Sequence, residues 1–256
     1  MELYTIEEFR AIMNGIWEKY GKKCDIDAEK AEIFFKLTKR LLEENEKYNL
    51  TAIRTVEGVI ENHIFDSLTV VDQIPEGASV LDLGSGAGFP SLPLAIVRPD
   101  LQITALDSTD KKVRYVNRAA ELLGLSDHLQ AITARAEDAA APGAPLREQF
   151  DVVTGRAVAR LNVLAEITLP FVRQGGCFIA MKGGKAAEEL DEAKAAYAKL
   201  GAAAPRLLPC SILSPDTDAD SADSAPEAHA LILAEKVRKT PEIYPRKYAQ
   251  ILKKPL

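Results

Sequence analysis

The sequence predicts an α/β fold: an open, mainly parallel sheet with helices on its faces and an antiparallel hairpin at its end. Three observations carry this. The apolar strand Ser79-Val-Leu-Asp-Leu83 stops at Gly84, glycines recur at Gly86 and Gly88, and a helix-like run begins at Pro90. Strand, glycine turn, helix is the unit with which α/β sheets cradle nucleotide-like ligands. From there to about residue 200, short apolar runs alternate with helical periodicity, as parallel strands with crossover helices do. The last two strands, 206–213 and 229–234, have no helical pattern between them. A direct connection makes them antiparallel.

Each element has its own reason. Thr5-Ile-Glu-Glu8 is a capping box, and Ile6, Phe9, Met13 and Ile16 follow at helical spacing. A second helix is expected from about Asp27 to Lys47, burying Ile33, Phe34, Leu37 and Leu41. Tyr48 to Arg54 has no helical stripe and reads as a loop. A third helix, about Val56 to Asp72, carries His63, Asp66 and Ser67 on one polar flank. Residues 1–75 thus form an N-terminal helical cap on a sheet domain of residues 76–240. In that domain Leu101–Asp107, Leu129–Thr133, Phe150–Thr154 and Cys177–Met181 read as further strands. Asp110 is expected to cap the helix after the second strand, Gly155–Arg160 to be a loop, and Gly175-Gly176 to be a turn into the fifth strand. The run 214–227 has five acids and no base and is expected to be a solvated loop. Residues 241–256 form a basic tail.

Composition narrows the class. The chain has 256 residues, 47% of them hydrophobic, and a net charge of −6. No apolar run approaches the roughly 18 residues that span a bilayer. The N-terminus lacks the basic start and apolar core of a signal peptide. Cys24, Cys177 and Cys210 are scattered, which fits a reduced, cytoplasmic protein without a disulfide framework or metal site. The acidic balance argues against a general nucleic-acid binder. Lys236, Arg238, Lys239, Arg246, Lys247, Lys253 and Lys254 nevertheless face one acid, Glu242, in the last 21 residues.

The glycine loop is G-x-G-x-G, with Phe89 where a dinucleotide fingerprint has its third glycine. Asp82 precedes it by two residues, and an acid of this placement suits a cationic ligand better than a phosphate. Asp107 closes the next strand, about where an acid grips ribose hydroxyls. The pattern resembles motif I of the class I S-adenosylmethionine (SAM)-dependent methyltransferases, whose seven-stranded, Rossmann-like sheet ends in an antiparallel hairpin. A glycine turn of another α/β protein remains the alternative from this stretch alone. Ligands of open α/β sheets bind beyond the carboxyl ends of the strands. That rule gathers Gly84, Gly86, Gly88, Phe89, Asp107, Ser108, Thr109, Ala136, Glu137, Arg156 and Lys182 around one crevice. The Asn/Asp-Pro-Pro-aromatic motif of exocyclic-amine methylation is not in the sequence, and neither Cys177 nor Cys210 is expected at the crevice. Guanine N7 has a free lone pair and needs no deprotonation, so it fits this inventory.

Several blocks are more specific than the glycine loop. They are Tyr48-Asn-Leu-Thr-Ala-Ile53, His63-Ile-Phe-Asp-Ser-Leu68, Asp82–Pro90, Leu106-Asp-Ser108, Gly155-Arg-Ala-Val-Ala159, Tyr244-Pro-Arg-Lys247 and Lys253-Lys-Pro-Leu256. Together they resemble the glucose-inhibited division protein B family, bacterial guanine-N7 methyltransferases of small-subunit ribosomal RNA. The resemblance implies a SAM cofactor, contacted by Gly84, Phe89, Asp107 to Thr109, Ala136, Glu137 and Arg156. It implies a guanine of small-subunit rRNA, as RNA or in the 30S particle, as substrate. Arg156, Asn49 and His63 are the candidates for orienting that base. Lys182, Arg246, Lys247, Lys253 and Lys254 are the candidates for RNA contact. Tyr248–Leu252 lacks the Gly and Pro usual in the family's tail, and the 214–227 run is longer than the family's hairpin connection. A monomer is expected. Two rivals stand beside this reading: a SAM-dependent methyltransferase of another substrate, and a SAM-binding ribosome-assembly factor without turnover. For Arg156 the structural alternative is an ion pair with Asp82 or Glu137.

Overall fold

A computed structural model describes residues 4–22, 24–156, 159–213 and 228–256. Its strands are β1 (Ser79–Leu83), β2 (Gln102–Asp107), β3 (Leu129–Thr133), β4 (Phe150–Arg156), β5 (Val172–Lys182), β6 (Arg206–Leu213) and β7 (Ala228–Glu235). They form one sheet in the order β3-β2-β1-β4-β5-β7-β6. The first five are parallel, and β7 runs antiparallel to both β5 and β6. β7 lies inside the hairpin because Ala230 to Ala234 are all buried. β6 takes the edge, where Pro209, which has no N–H to donate, is tolerated. The run 214–227 lies outside the described residues.

The chain leaves β1 towards β2 and β3, then returns to place β4 on β1's other side. That reversal is the topological switch point at which such sheets bind ligands. Leu83 pairs with Gly155, so the next residues, Gly84 and Arg156, emerge side by side.

The helices are α1 (Ile6–Lys19), α2 (Ala28–Tyr48), α3 (Val56–Val59), α4 (Asp66–Leu68), α5 (Ser91–Val97), α6 (Asp110–Leu122), α7 (Ala136–Ala139), α8 (Leu161–Thr168), α9 (Ala186–Lys199) and α10 (Tyr248–Lys253). α1 starts on the expected capping box, with Glu8 N donating to Thr5 Oγ1 at 3.2 Å and Thr5 N to Glu8 Oε2 at 2.7 Å. Neighbouring strand residues point to opposite faces. Val80 and Ile179 therefore join Phe9, Phe34, Leu37 and Ile64 in one core, under the N-terminal helices. Leu81 and Phe178 join Leu164, Tyr197 and Ile251 in the other, under α8, α9 and α10. The N-terminal helices thus share the first core with the sheet, and the C-terminal tail is anchored in the second by Ile251, with Tyr244, Tyr248 and Leu256 packed alongside. Among the described residues no helix is long and apolar enough to cross a membrane.

Four local expectations are corrected. The segment 56–73 is not one helix: a π-helical turn, Ile60–Phe65, separates α3 from α4, and a 3-10 turn, Val71–Gln73, follows. His63, Asp66 and Ser67 are buried along with Ile60 and Ile64, so the segment is enclosed between cap and sheet rather than one-sided. Gly155 and Arg156 end β4 instead of starting a loop. β5 begins at Val172, and Gly175-Gly176 lies within it, at a register shift against β4. A β-carbon on Gly176 would meet Asp151 O at 2.6 Å. Asp110 is the first helical residue of α6 and not its cap; Asp107 Oδ1 instead accepts from Thr109 N at 2.8 Å.

Candidate active site

The glycine loop is pinned to the end of β2. Gly84 N and Ser85 N both donate to Leu106 O, at 2.7 and 3.2 Å, and Gly86 N donates to Asp107 Oδ2 at 3.0 Å. Gly86 has φ +59°, and a β-carbon there would meet nothing nearer than Gly84 O at 3.9 Å, so it would project into open space. Gly88 has φ +88°, and a β-carbon there would lie 2.5 Å from Leu92 Cδ1. The two glycines therefore serve different purposes. Gly86→Ala is expected to weaken ligand binding in the open space beside the loop, with a stability loss of about 1 kcal/mol from its left-handed backbone. Gly88→Ala adds overpacking and is expected to cost about 2–4 kcal/mol. Urea unfolding and calorimetric titration of the two variants would separate these effects; a Gly88→Ala protein as stable as the parent would refute the packing role.

Two cavities open on this loop. The first, about 340 Å³, is lined by Gly84, Asp107, Ser108, Thr109, Arg135, Ala136, Glu137, Arg156, Ile167 and Tyr248, among others. The second, about 610 Å³, is lined by Leu50, Thr51, His63, Asp66, Gly84, Gly86, Phe89, Arg156, Lys182, Glu189 and His229, among others. Both volumes suit small-molecule sites. Gly84 and Arg156 line both cavities, so they mark where the two meet.

Arg156 is held by three acceptors. Its Nη1 donates to Asn62 O at 2.9 Å and to Asp66 Oδ2 at 3.0 Å, and its Nη2 donates to His63 Nδ1 at 3.2 Å. Its guanidinium carbon lies 5.7 Å from the centroid of the Phe89 ring, and His63 stacks on that ring at 4.4 Å. Arginine only donates, so His63 Nδ1 is the acceptor and Nε2–H donates to Thr51 Oγ1 at 2.8 Å. Burial, with the Arg156 charge beside it, lowers the His63 pKa to about 3. Burial pushes Asp66 up, but the hydrogen bond from His229 Nδ1, 3.1 Å away, and the Arg156 charge outweigh it and keep Asp66 below the usual range.

The His63 value has a consequence for stability. Its folded pKa lies below the usual 6.5, so the unfolded chain binds the proton first as pH falls. The contribution is complete above about pH 6.5 and is lost towards pH 3, reaching about 2 kcal/mol at pH 5. Asp82 works in the opposite direction, because burial raises its pKa to about 6, so acidification relieves a penalty there. The comparison must therefore be with His63→Gln, which retains Asp82. The parent is expected to lose about 2 kcal/mol more than the variant between pH 7 and pH 5. Equal losses in denaturant unfolding would mean that His63 titrates normally.

The expected residues fall into groups. Asp107, Ser108, Thr109, Ala136 and Glu137 line the first cavity; Gly86, Phe89, His63 and Lys182 line the second. Gly88 lines neither. Asp82 is fully buried behind the loop, where its carboxylate accepts from Ser91 N at 3.1 Å and Thr154 Oγ1 at 3.3 Å. Arg156 pairs with Asp66, not with Asp82 or Glu137; the nearest cation to Glu137 is Arg135, at 3.4 Å. Asn49 is exposed at the left-handed C-terminal position of α2 and lines neither cavity. Asn45 shapes the following loop instead, exchanging 2.9 Å hydrogen bonds with Thr51 N and O.

A family model described as rRNA small subunit methyltransferase G matches residues 30–212. The chain belongs to that family. A relative from Lachnoclostridium phytofermentans named ribosomal RNA small subunit methyltransferase G is 42% identical over 230 residues, 89% of either chain. One of the same name from Clostridium perfringens is 40% identical over 225 residues, covering 87% of this chain and 89% of the relative. Solved structures agree in fold. Geranyl diphosphate C-methyltransferase from Streptomyces coelicolor A3(2) superposes with a TM-score of 0.51 at 17% identity, over 68% of this chain and 79% of that one. The [4+2]-cyclase SpnF reaches the same score at 16% identity, over 66% and 79%. A fold shared with a cyclase does not by itself give the reaction.

Within this family's blocks, the structure explains H-I-x-D-S-L and the arginine of R-A-V-A as one hydrogen-bonded unit, Asp66–Arg156–His63. Sequence reasoning missed His229, Glu189 and Tyr248 as cavity residues. His229 had no local signal; it reaches Asp66 only because β7 pairs with β5, with Ala230 opposite Lys182. Among the tail cations, Arg246 is bound to the buried Glu166, through Nε at 2.8 Å and its backbone N at 2.9 Å. Lys247, Lys253 and Lys254 are exposed. Lys182 is half of an ion pair with Glu189 at 2.8 Å.

Proposed function

We propose that the chain transfers the methyl group of SAM to N7 of a guanine in small-subunit rRNA, acting as a cytoplasmic monomer on RNA or on the 30S particle. The observation that carries this reading is the meeting of the two cavities at Gly84 and Arg156. The residues present fit the cofactor. The first cavity offers a carboxylate, Asp107, for ribose hydroxyls, apolar walls from Leu83, Leu106 and Ile167, and the flanking residues Ser108, Thr109 and Ala136. Gly84 carries the loop's main chain to the edge of this cavity.

When bound, SAM supplies an electrophilic methyl group on a sulfonium. The chain's own residues align the acceptor with it. Arg156 stands at the junction, fixed by Asn62, Asp66 and His63. His63 is neutral and its Nδ1 lone pair is taken by Arg156, so it abstracts no proton. Guanine N7 asks for none, and catalysis rests on orientation and exclusion of water. Asn49 lies outside both cavities. Lys247, Lys253 and Lys254 would position phosphates without reading sequence.

Labelled SAM and small subunits from cells lacking this gene test the reading. Digestion of the rRNA is expected to yield label in 7-methylguanosine at one position. Label in another nucleoside, or transfer to small molecules but not to RNA, would favour a methyltransferase of another substrate. Binding to the particle without transfer would favour the assembly factor.

A further inference from the structure

The second cavity contains an acceptor that the methyl-transfer step does not use. Two carboxylates line it, Asp66 and Glu189. Both oxygens of Asp66 have partners: Oδ1 accepts from His229 and Oδ2 from Arg156. Glu189 has partners on one oxygen alone: Oε2 forms an ion pair with Lys182 Nζ at 2.8 Å and accepts from Leu161 N at 2.9 Å, while among the described residues Oε1 accepts no hydrogen bond. The side chain is only 14% exposed.

The carboxylate is also held in place. Leu161 begins α8, so Glu189, from α9, satisfies one of that helix's free N–H groups. Lys182 ends β5 and donates in addition to Ala159 O at 3.0 Å. Three elements thus immobilise Oε2 and leave Oε1 as a fixed acceptor. Glu189 lines the second cavity and not the first, which puts it on the substrate side of the Gly84–Arg156 junction.

The geometry points to Glu189 as the residue that selects guanine, its free oxygen accepting from the N1–H and N2–H₂ edge. This rests on the proposed N7 reaction. A base with N7 turned to the junction presents its six-membered ring to the far side of the cavity. Guanine carries donors on that edge, whereas adenine carries an N1 lone pair and no group at C2 that donates. A fixed carboxylate therefore accepts from guanine and repels adenine, and both purines have an N7 that would otherwise qualify. Reading an extruded base on its Watson–Crick edge is a general solution for enzymes that modify bases.

Inosine separates this from a structural role, since it keeps N7, O6 and N1–H and lacks only the N2 amine. Small subunits are reconstituted with guanosine or inosine at the methylated position, and kcat/KM is measured for the parent and Glu189→Ala. The parent is expected to prefer guanosine by about 10-fold or more, the scale of a hydrogen bond to a charged group. In Glu189→Ala the preference is expected to fall to within about 2-fold of unity, with the dissociation constant for SAM unchanged. Damage to α8 or to overall stability lowers both rates and leaves their ratio, so an unchanged ratio would overturn the assignment. If Glu189→Ala does not fold, Glu189→Gln, which keeps the shape and loses the charge, is expected to reduce the preference several-fold, and an undiminished preference would again refute it. A parent indifferent to inosine would overturn it as well. A parent inert on the guanosine particle would instead overturn the proposed function, and this assignment with it.

Discussion

Arg156→Ala is expected to lower kcat/KM for methyl transfer by about 10²–10³-fold, a loss in the range seen when a positioned donor at a reaction centre is removed. Among the described residues only the Arg156 guanidinium reaches Asn62 O, Asp66 and His63 together while lying over Phe89. Its loss leaves Asp66 with His229 alone, and the wall of the cavity at the junction goes with it. Arg156→Lys should recover little, because an ammonium cannot present a planar fork to acceptors on both sides. Breaking a mostly buried pair also destabilises, by up to about 3–5 kcal/mol. Turnover should therefore be compared below the variant's unfolding temperature, with SAM affinity measured alongside. A folded Arg156→Ala enzyme working within 3-fold of the parent would place the residue outside the reaction.

Arg246→Ala is expected to cost about 3–5 kcal/mol in urea unfolding. Glu166, in α8, is 0% exposed, and the described cation bonded to it is Arg246. Deleting that partner strands a carboxylate in the core beneath the tail. The double change Arg246→Met, Glu166→Leu should recover most of the loss, because two apolar chains of similar bulk carry no desolvation penalty. Lys253→Ala and Lys254→Ala touch no such feature and should stay within about 0.5 kcal/mol of the parent. They should instead reduce the salt dependence of RNA binding, by about one unit of slope each. An Arg246→Ala protein as stable as the parent but with a shallower salt slope would return Arg246 to the RNA-contact group.

The contrast between Arg246 and its neighbours shows where sequence reasoning reached its limit. All four tail cations look alike along the chain, and only burial of the partner distinguishes them. The same holds for Asn49 and Asn45, four residues apart: one ends a helix at an exposed left-handed position, the other carries the loop. Gly86 and Gly88 likewise share a motif, yet one opens a cavity and the other makes room for Leu92.

The sheet, the glycine loop, the acid at the end of β2 and the family blocks were legible in the residues alone. These depend on the periodicity of single elements and on turns of a few residues, where the cause and its sign lie within one window. The constellation at the junction arises from packing between distant elements. Arg156 lies 90 residues from Asp66, and His229 lies 163 residues from it. Periodicity tells a residue which side of its own element is buried. It does not say which polar group from another element will be buried against it, because that pairing is chosen by the packing of the whole sheet.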